Sequence, residues 1–262
     1  EMTVTVTVSE NAITDIQIEH TETPGIGEPA VQSIPAEIME TQGLGVDVVS
    51  GATLTSNAII EGVVENLKQA GLSDADINTL LAIKKVVEKE EDQELSADVV
   101  VIGAGGAGMA AAVTAKQAGK SVIVIEKTSK MGGNTILSGG ALNAVDEGSE
   151  TAIANNDSTA LHYEQTFNGG DQEGDPVLVQ TLIENAWDGV EWLKSLGMEF
   201  HEGTFTVTGG MWPRAHKPVE PEGTGFFKTY QNFLDNNTGI SMVYNTTAEE
   251  LIMEDNVITG VI

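Results

Sequence analysis

The residues with the clearest chemistry stand six in a row. Gly103-Ala104-Gly105-Gly106-Ala107-Gly108 spells GxGxxG, and an acid, Glu126, follows Gly108 by 18 residues. Gly103 permits a tight turn. Gly105 lets the main chain approach a pyrophosphate with no Cβ in the way, and Gly108 lets a helix pack close on a strand. A helix opening at this loop offers free N–H groups and its positive dipole end to phosphate. Glu126 stands at the distance from which an acid accepts hydrogen bonds from a ribose diol. Types and spacing together point to binding of a dinucleotide; the alternative is a plain Gly-rich loop in a strand–helix–strand unit.

Such residues work only if regular elements position them. Asp98 to Ile102 is a short valine-rich run, read as a buried strand. An alanine-rich helix spans roughly Ala107 to Ala118 and stops at Gly119. Ser121 to Ile125 reads as a second buried strand that ends on Glu126.

A second glycine-rich segment, Gly132-Gly133-Asn134-Thr135 then Ser138-Gly139-Gly140-Ala141, follows closely. A nicotinamide-binding domain does not need it. The pairing resembles the FAD domain of the fumarate reductase and succinate dehydrogenase flavoprotein family, in which this segment wraps the FAD pyrophosphate and flavin ring. The resemblance implies a Rossmann-like α/β domain with non-covalent FAD. By it Gly103, Gly105, Gly106, Ala107, Gly108, Glu126, Lys127, Gly132, Gly133, Asn134, Thr135, Gly139, Gly140 and Ala141 line the cofactor.

Upstream, MTVTVTV (Met2–Val8) alternates strictly, and ITDIQIEH (Ile13–His20) alternates again, so the two predict a hairpin. A polar loop with two glycines, Glu22 to Gly27, comes next. Ile34 to Met39 reads as a short helix and Ala58 to Ala70 as an amphipathic one, with Ile59, Val63 and Leu67 on one face and Gly71 closing it. Between the helices lies DVVSGATLTS, Asp47–Ser56, which by composition is a loop before a helix cap. The whole string resembles the FMN-binding domain of flavin-linked electron-transfer proteins. There, Asp-x-x-Ser-Gly-Ala-Thr is read by a flavin transferase that joins FMN phosphate to the final threonine, here Thr53. The hairpin and the loop beginning HTETPGIG match that α+β domain too. The resemblance places Glu22, Thr23, Ser50, Gly51 and Ala52 beside a covalent FMN.

Ser73 and Asp76 form a capping pair at the start of a linker helix expected to reach about Glu91, with Ile77, Leu80, Leu81 and Ile83 as its stripe. The charged run Glu88 to Glu94 marks a boundary near residue 95. The expected division is 1–72 for FMN, 73–95 for the linker and 96–262 for the N-terminal part of an FAD domain. Val145 to Asp157 reads as an acidic loop. Asp175-Pro176 opens a long helix to about Leu196, closed by Gly197, with Leu178, Leu182, Trp187, Val190 and Leu193 inward. Gly223 to Asn236 reads as a helix. Ala248–Met253 and Val257–Ile262 read as a hairpin turning at Asp255-Asn256.

TVTGGMWPRAHKP, Thr206–Pro218, gathers Arg214, His216 and Lys217. The flavoprotein family has a similar Arg-x-His-Arg-Pro segment near its flavin face, with Lys217 here in place of the second arginine. Two readings stay open: a role for Arg214 or His216 at the flavin, or an ion-paired structural loop.

The balance of charge restricts partners. Of 262 residues, 40 are Asp or Glu and 12 are Lys or Arg, for a net charge of −28; Arg214 is the one arginine. Such a surface repels nucleic acid and anionic lipid, and both are set aside as partners. The same field opposes approach of a dicarboxylate, so a local cationic site would have to overcome it. With no cysteine, disulfides, Cys-ligated metals and CxxCH haem attachment are excluded. The four histidines lack metal-ligand spacing, no run reaches membrane-spanning length, and no signal peptide is evident; with Glu at position 1 a trimmed or mature product is expected.

The two resemblances imply a flavin-dependent reductase. Electrons enter at FMN on Thr53 and pass to FAD. From there they go as hydride to a C=C bond conjugated to a carboxylate, of fumarate, urocanate or acrylate type. An upstream electron donor, the flavin transferase and the remaining C-terminal part are the implied partners, and the family's catalytic residues are expected beyond Ile262. The alternatives are an FMN-carrying electron-transfer module without catalysis and a flavin dehydrogenase of 3-ketosteroid type. An exported bacterial protein is expected, because flavin attachment of this kind is usual outside the cytoplasm.

Overall fold

The alternating valines and isoleucines at the N-terminus do what their period dictates. In the computed structural model, which describes residues 2–85 and 92–262, β1 (Met2–Val8) and β2 (Ile13–His20) pair antiparallel with Val4 opposite Ile18 and Val6 opposite Ile16. Their apolar face meets α1 (Glu28–Thr41) and α2 (Thr53–Gln69). Ile34, Ile38, Ile59, Val63 and Leu67 are all at most 1% exposed and form the centre of this core. Helix α1 is longer than the expected 34–39. Pro35 lies inside it and denies the Val31 carbonyl a partner, yet burial of Ala30, Ile34 and Ile38 carries the helix through. Helix α2 begins at Thr53 rather than Ala58, so the expected loop ends a turn earlier. Its cap is Ala70, and Gly71 follows with φ +105°.

Helix α3 (Asp74–Ala82) opens on the expected capping box: Ser73 and Asp76 hydrogen-bond each other's backbone N–H. It ends at Ala82, short of Glu91. The rest of that expected linker helix and of the charged run falls partly on residues 86–91, outside the described residues.

The chain divides into two compact units. One comprises Glu1–Asp98, Ile125–Lys130 and Val243–Ile262; the other comprises Val99–Val124 and Met131–Met242. The second is built on a strand–helix–strand: β3 (Val99–Ile102), α4 (Gly106–Gln117) and β4 (Val122–Ile125). Strand β4 is buried as expected. Strand β3 is not: Val100 and Ile102 are 40% and 54% exposed, because they alternate to the face of the sheet opposite Val101, the residue that packs toward α4.

The expected loop 145–157 contains a short helix, α5 (Glu150–Asn155), capped by Ser149 and preceded by β5 (Leu142–Asn143). An unforeseen α6 (Thr159–Gly169), capped by Ser158, follows. Helix α7 (Pro176–Ser195) has the expected Asp175 cap, whose Oδ1 accepts from the N–H groups of Val177 and Leu178. Its inward face is Ile183, Ala186, Val190 and Leu193. Leu178 and Leu182 are 69% and 62% exposed, against expectation. Strand β6 (Ala215–His216) pairs with β5, and α8 (Thr224–Asn236) packs on α4.

Strand β7 (Ile240–Val243), also unforeseen, is the third strand of the sheet, in the order β3-β4-β7. The bonds Val122 N–H to Gly239 O and Glu126 N–H to Val243 O keep one sequence offset, which marks β4 and β7 as parallel. The chain closes on the hairpin β8 (Leu251–Glu254) and β9 (Val257–Val261). Asp255 and Asn256 both take positive φ, 48° and 63°, in a two-residue turn. Among the described residues no helix is long and apolar enough to cross a membrane.

Candidate functional site

In the second unit, two glycine-rich segments and the start of α8 are stacked main chain on main chain. Gly103 turns with φ +95°, leading into Gly105, the N-cap residue of α4, which has no side-chain cap. The second segment docks here: Gly132 N–H donates to Ala104 O at 2.9 Å, and Gly132 bridges Gly105. A Cβ on Gly106 would meet Thr135 Oγ1 at 2.7 Å, one on Gly140 would meet Glu222 O at 1.9 Å, and one on Gly223 would meet Thr135 O at 1.8 Å. Sequence reasoning found the first two segments and missed the third. Its signal was present as Gly223-Thr224-Gly225 at a helix start.

What remains open is the space in front of Gly103 and Gly105. A Cβ built on either meets nothing within 4 Å. With the uncapped N–H groups of α4 facing that space, the loop is a cradle of donors that suits a pyrophosphate. Gly133, Asn134, Gly139 and Ala141 are exposed, while Gly132 and Gly140 are buried in the stack. Gly108 works differently: its Cβ would fall 1.9 Å from Gly103 O and 3.3 Å from Val101 Cγ1. Gly108→Ala is therefore expected to destabilise the fold by about 1–3 kcal/mol. Gly105→Ala, at an ordinary φ of −77° and in open space, is expected to leave stability unchanged and weaken FAD binding about tenfold by crowding the ligand. Urea melts beside FAD titrations check both; equal losses of stability in the two variants would refute the distinction.

In the first unit, Glu126 follows β4 and is 7% exposed. Its Oε1 accepts from Thr128 N–H at 2.9 Å and lies 2.8 Å from Thr128 Oγ1. Asn245 N–H donates to Thr128 O and Thr246 N–H to Glu126 O, so the carboxylate is fixed in a tight turn. Lys127 points to solvent.

The same unit holds the FMN-type segment. Ala52 caps α2 without a side-chain bond, so Thr53 occupies the first helical position, exposed, and none of the hydrogen bonds among the described residues engages its hydroxyl. Ser56 closes the loop behind it, accepting from Val49 N–H at 3.0 Å and donating to Ala52 O at 2.9 Å. Gly51 takes φ +79°. A free hydroxyl at an uncapped helix N-terminus suits a phosphoester, whose charge the dipole favours. Thr55 Oγ1 donates to Glu22 Oε2 at 2.9 Å, and Thr23 O gathers the N–H groups of Ile26, Gly27 and Glu28.

The cationic segment resolves toward the ion-paired reading. Arg214 is 6% exposed. Its Nε and Nη2 donate to Asp157 at 2.8 and 2.5 Å, and its Nη1 donates to Gln165 Oε1 at 2.7 Å. His216 lies 5.3 Å from the Trp187 ring with Nε2 3.3 Å from Ala144 O, and burial holds its pKa below the usual value. Lys217 donates to Gly139 O. Arg214 also lines a cavity of about 360 Å³ with Asn143, His162 and Trp212. His162 Nδ1 and Trp212 Nε1 are buried and find no partner among the described residues. Among the described residues no cluster could hold a metal.

Burial first, and the Arg214 charge second, push His162 down to about 4 against the opposing pull of Asp157. Between pH 6.5 and 4 the unfolded chain protonates this imidazole and the folded chain does not. Its contribution is therefore complete above 6.5 and is lost as pH falls toward 4. Melts of wild type against His162→Gln across that window should differ in slope, by about 3 kcal/mol at the limit. Parallel slopes would remove His162 from the account.

A family model described as FAD binding domain matches residues 98–262, and one described as FMN-binding domain matches residues 1–68. Among curated proteins, the chain is 30% identical to an NADH:acrylate oxidoreductase of Vibrio harveyi over all of its length and 32% of that protein. It is 33% identical to an NADH:fumarate oxidoreductase of Klebsiella pneumoniae over 82% of this chain and 22% of that protein. With a urocanate reductase of Eggerthella lenta it shares 34% identity over 80% of this chain and 34% of that protein. The chain thus spans about a third or less of these bacterial relatives. Among solved structures, the open conformation of a flavocytochrome c3 fumarate reductase matches 63% of this chain and 29% of that chain, with TM-score 0.56 and 32% identity. A 3-ketosteroid-delta4-(5alpha)-dehydrogenase from Rhodococcus jostii RHA1 shares the fold, at TM-score 0.55 and 24% identity over 63% of this chain and 41% of that one. The chain belongs to the FAD binding domain family of flavoproteins and carries an FMN-binding domain ahead of that domain.

Proposed function

We propose that this chain is the flavin-bearing N-terminal portion of a reductase that delivers electrons to the C=C bond of an unsaturated carboxylate. The observation that carries the reading is the pairing of two flavin-binding families in one chain. Acceptor class is suggested by the relatives, whose names specify acrylate, fumarate and urocanate. Residues 1–72 would hold FMN, 73–95 link, and 96–262 hold FAD. When bound, the flavins supply electron entry and hydride donation.

The chain's own residues have separable tasks. Thr53 offers the attachment hydroxyl at the N-terminus of α2, with Ser50, Gly51 and Ala52 leaving room for a phosphoester and Glu22 and Thr23 beside it. The Gly103–Gly108 loop and the uncapped α4 hold the pyrophosphate; Glu126 receives the ribose diol; Asn134, Thr135 and Gly139–Ala141 follow the cofactor toward its ring. An upstream electron donor, a flavin transferase acting on Thr53, and a location outside the cytoplasm complete the reading. The test is oxidation of reduced viologen dye by the full-length flavinylated protein. Turnover with fumarate, urocanate or acrylate supports the reading, and turnover with 3-ketosteroids alone, or with no acceptor, defeats it.

A further inference from the structure

The turn that carries Glu126 does not cluster with the rest of the strand–helix–strand. Ile125–Lys130 belongs to the same compact unit as residues 1–98. Main-chain bonds from Glu126 N–H to Val243 O, Asn245 N–H to Thr128 O and Thr246 N–H to Glu126 O join it to residues 243–246 of that unit, and one side chain reaches residues 1–98. Lys130 Nζ donates to Gly25 O at 3.1 Å, across 105 residues of sequence. Lys130 is half-buried, as a lysine whose stem packs while its ammonium meets a polar partner is.

Both ends of this bond are anchored. Gly25, at φ +75°, sits in the loop whose Ile26, Gly27 and Glu28 N–H groups converge on Thr23 O. Glu22 heads that loop and is fixed by Thr55 on α2, two residues from Thr53. A Cβ on Gly27 would fall 2.0 Å from Glu22 Oε2, so the loop is closed tightly on this carboxylate. At the other end, Lys130 O lies 2.8 Å from Thr128 Oγ1, which is also 2.8 Å from Glu126 Oε1. The hydroxyl has one proton and serves one of these oxygens at a time. Thr128 N–H holds Glu126 Oε1 in either case.

We propose that Lys130 is a positioning residue that ties the Glu22–Gly27 loop to the Thr128–Glu126 turn, so that the groups assigned to FMN and the acid assigned to the FAD ribose are held as one body. This rests on the two-flavin reading above. Its physical content is a charge-assisted hydrogen bond from the ammonium of one loop to a main-chain carbonyl of the other. No other residue type reaches that carbonyl from this turn with both a long apolar stem and a cationic donor, except arginine.

The test compares Lys130→Met, which keeps the stem and removes the donor, with Lys130→Arg, which restores one. Lys120→Met, an exposed site, controls for loss of one charge. In full-length flavinylated protein, amide hydrogen exchange of residues 22–28 should speed up about tenfold in Lys130→Met, the scale of one charge-assisted bond. It should be unchanged in Lys120→Met and recover in Lys130→Arg. Stopped-flow reduction of FAD after FMN should slow by a similar factor with both flavin contents unaltered. Unchanged exchange in Lys130→Met overturns the tie. Faster exchange with wild-type electron transfer overturns its role in positioning the flavins. If mass analysis finds no FMN on Thr53, it is the two-flavin reading that fails, and exchange alone judges the tie.

Discussion

Thr53→Ala produced alongside an active flavin transferase is expected to carry no covalent FMN at all. Intact-mass analysis and peptide mapping should find the FMN-phosphoryl mass on the wild-type peptide and on no peptide of the variant. The expectation is all-or-none because the phosphoester needs a hydroxyl, and the loop provides Thr53 exposed and unengaged while Ser56 and Thr55 are buried in hydrogen bonds. Folding should be unaffected, since the Thr53 side chain packs against nothing that the core of Ile59 and Val63 requires. Thr53→Ser should retain some adduct. A wild-type peptide without added mass would leave the N-terminal domain with no role in electron entry as described.

Breaking the Arg214–Asp157 pair is expected to be the most damaging single change to stability. Both side chains are nearly inaccessible, at 6% and 3%. Arg214→Met would leave the Asp157 carboxylate buried without its bidentate partner, at about 3–5 kcal/mol. Replacing both, as Arg214→Met with Asp157→Leu, should recover most of that loss, because the desolvation penalty then disappears along with the attraction. A double-mutant cycle by chemical denaturation measures both quantities. A single-variant loss below about 1 kcal/mol, the range of exposed pairs, would show the pair to be solvated. The pair also bears on chemistry: Arg214 has three of its five N–H donors committed to Asp157 and Gln165, so it is braced rather than free to swing.

Much of this molecule is legible from local pattern. Strict alternation in Met2–Val8 and Ile13–His20, the Ser73–Asp76 box, Asp175-Pro176 and the Asp255-Asn256 turn each involve residues a few positions apart, where one interaction dominates. The failures share the opposite cause. Leu178 and Leu182 match a helical stripe as well as Ile183 does, and what chooses between them is where the rest of the unit covers α7. Val100 and Ile102 look buried until the packing of α4 on the Val101 face leaves them on the other. Strand β7 is four residues whose pairing is set by β4. In the candidate site, Gly103–Gly108 with Glu126 is a local signature. The approach of Gly223 to Thr135 O is a contact across 88 residues that no window along the sequence contains.

That approach has a consequence for variation. Where Gly140 and Gly223 meet the carbonyls of Glu222 and Thr135, the cradle has no side chains to exchange, and what holds it is the absence of atoms. A saturation-mutagenesis library should therefore show a sharply bimodal profile here. The two glycines would tolerate almost nothing, while an exposed neighbour such as Leu137 would accept nearly every replacement. Change in what the cradle holds would have to come from residues outside this stack, while the stacked backbone drifts hardly at all.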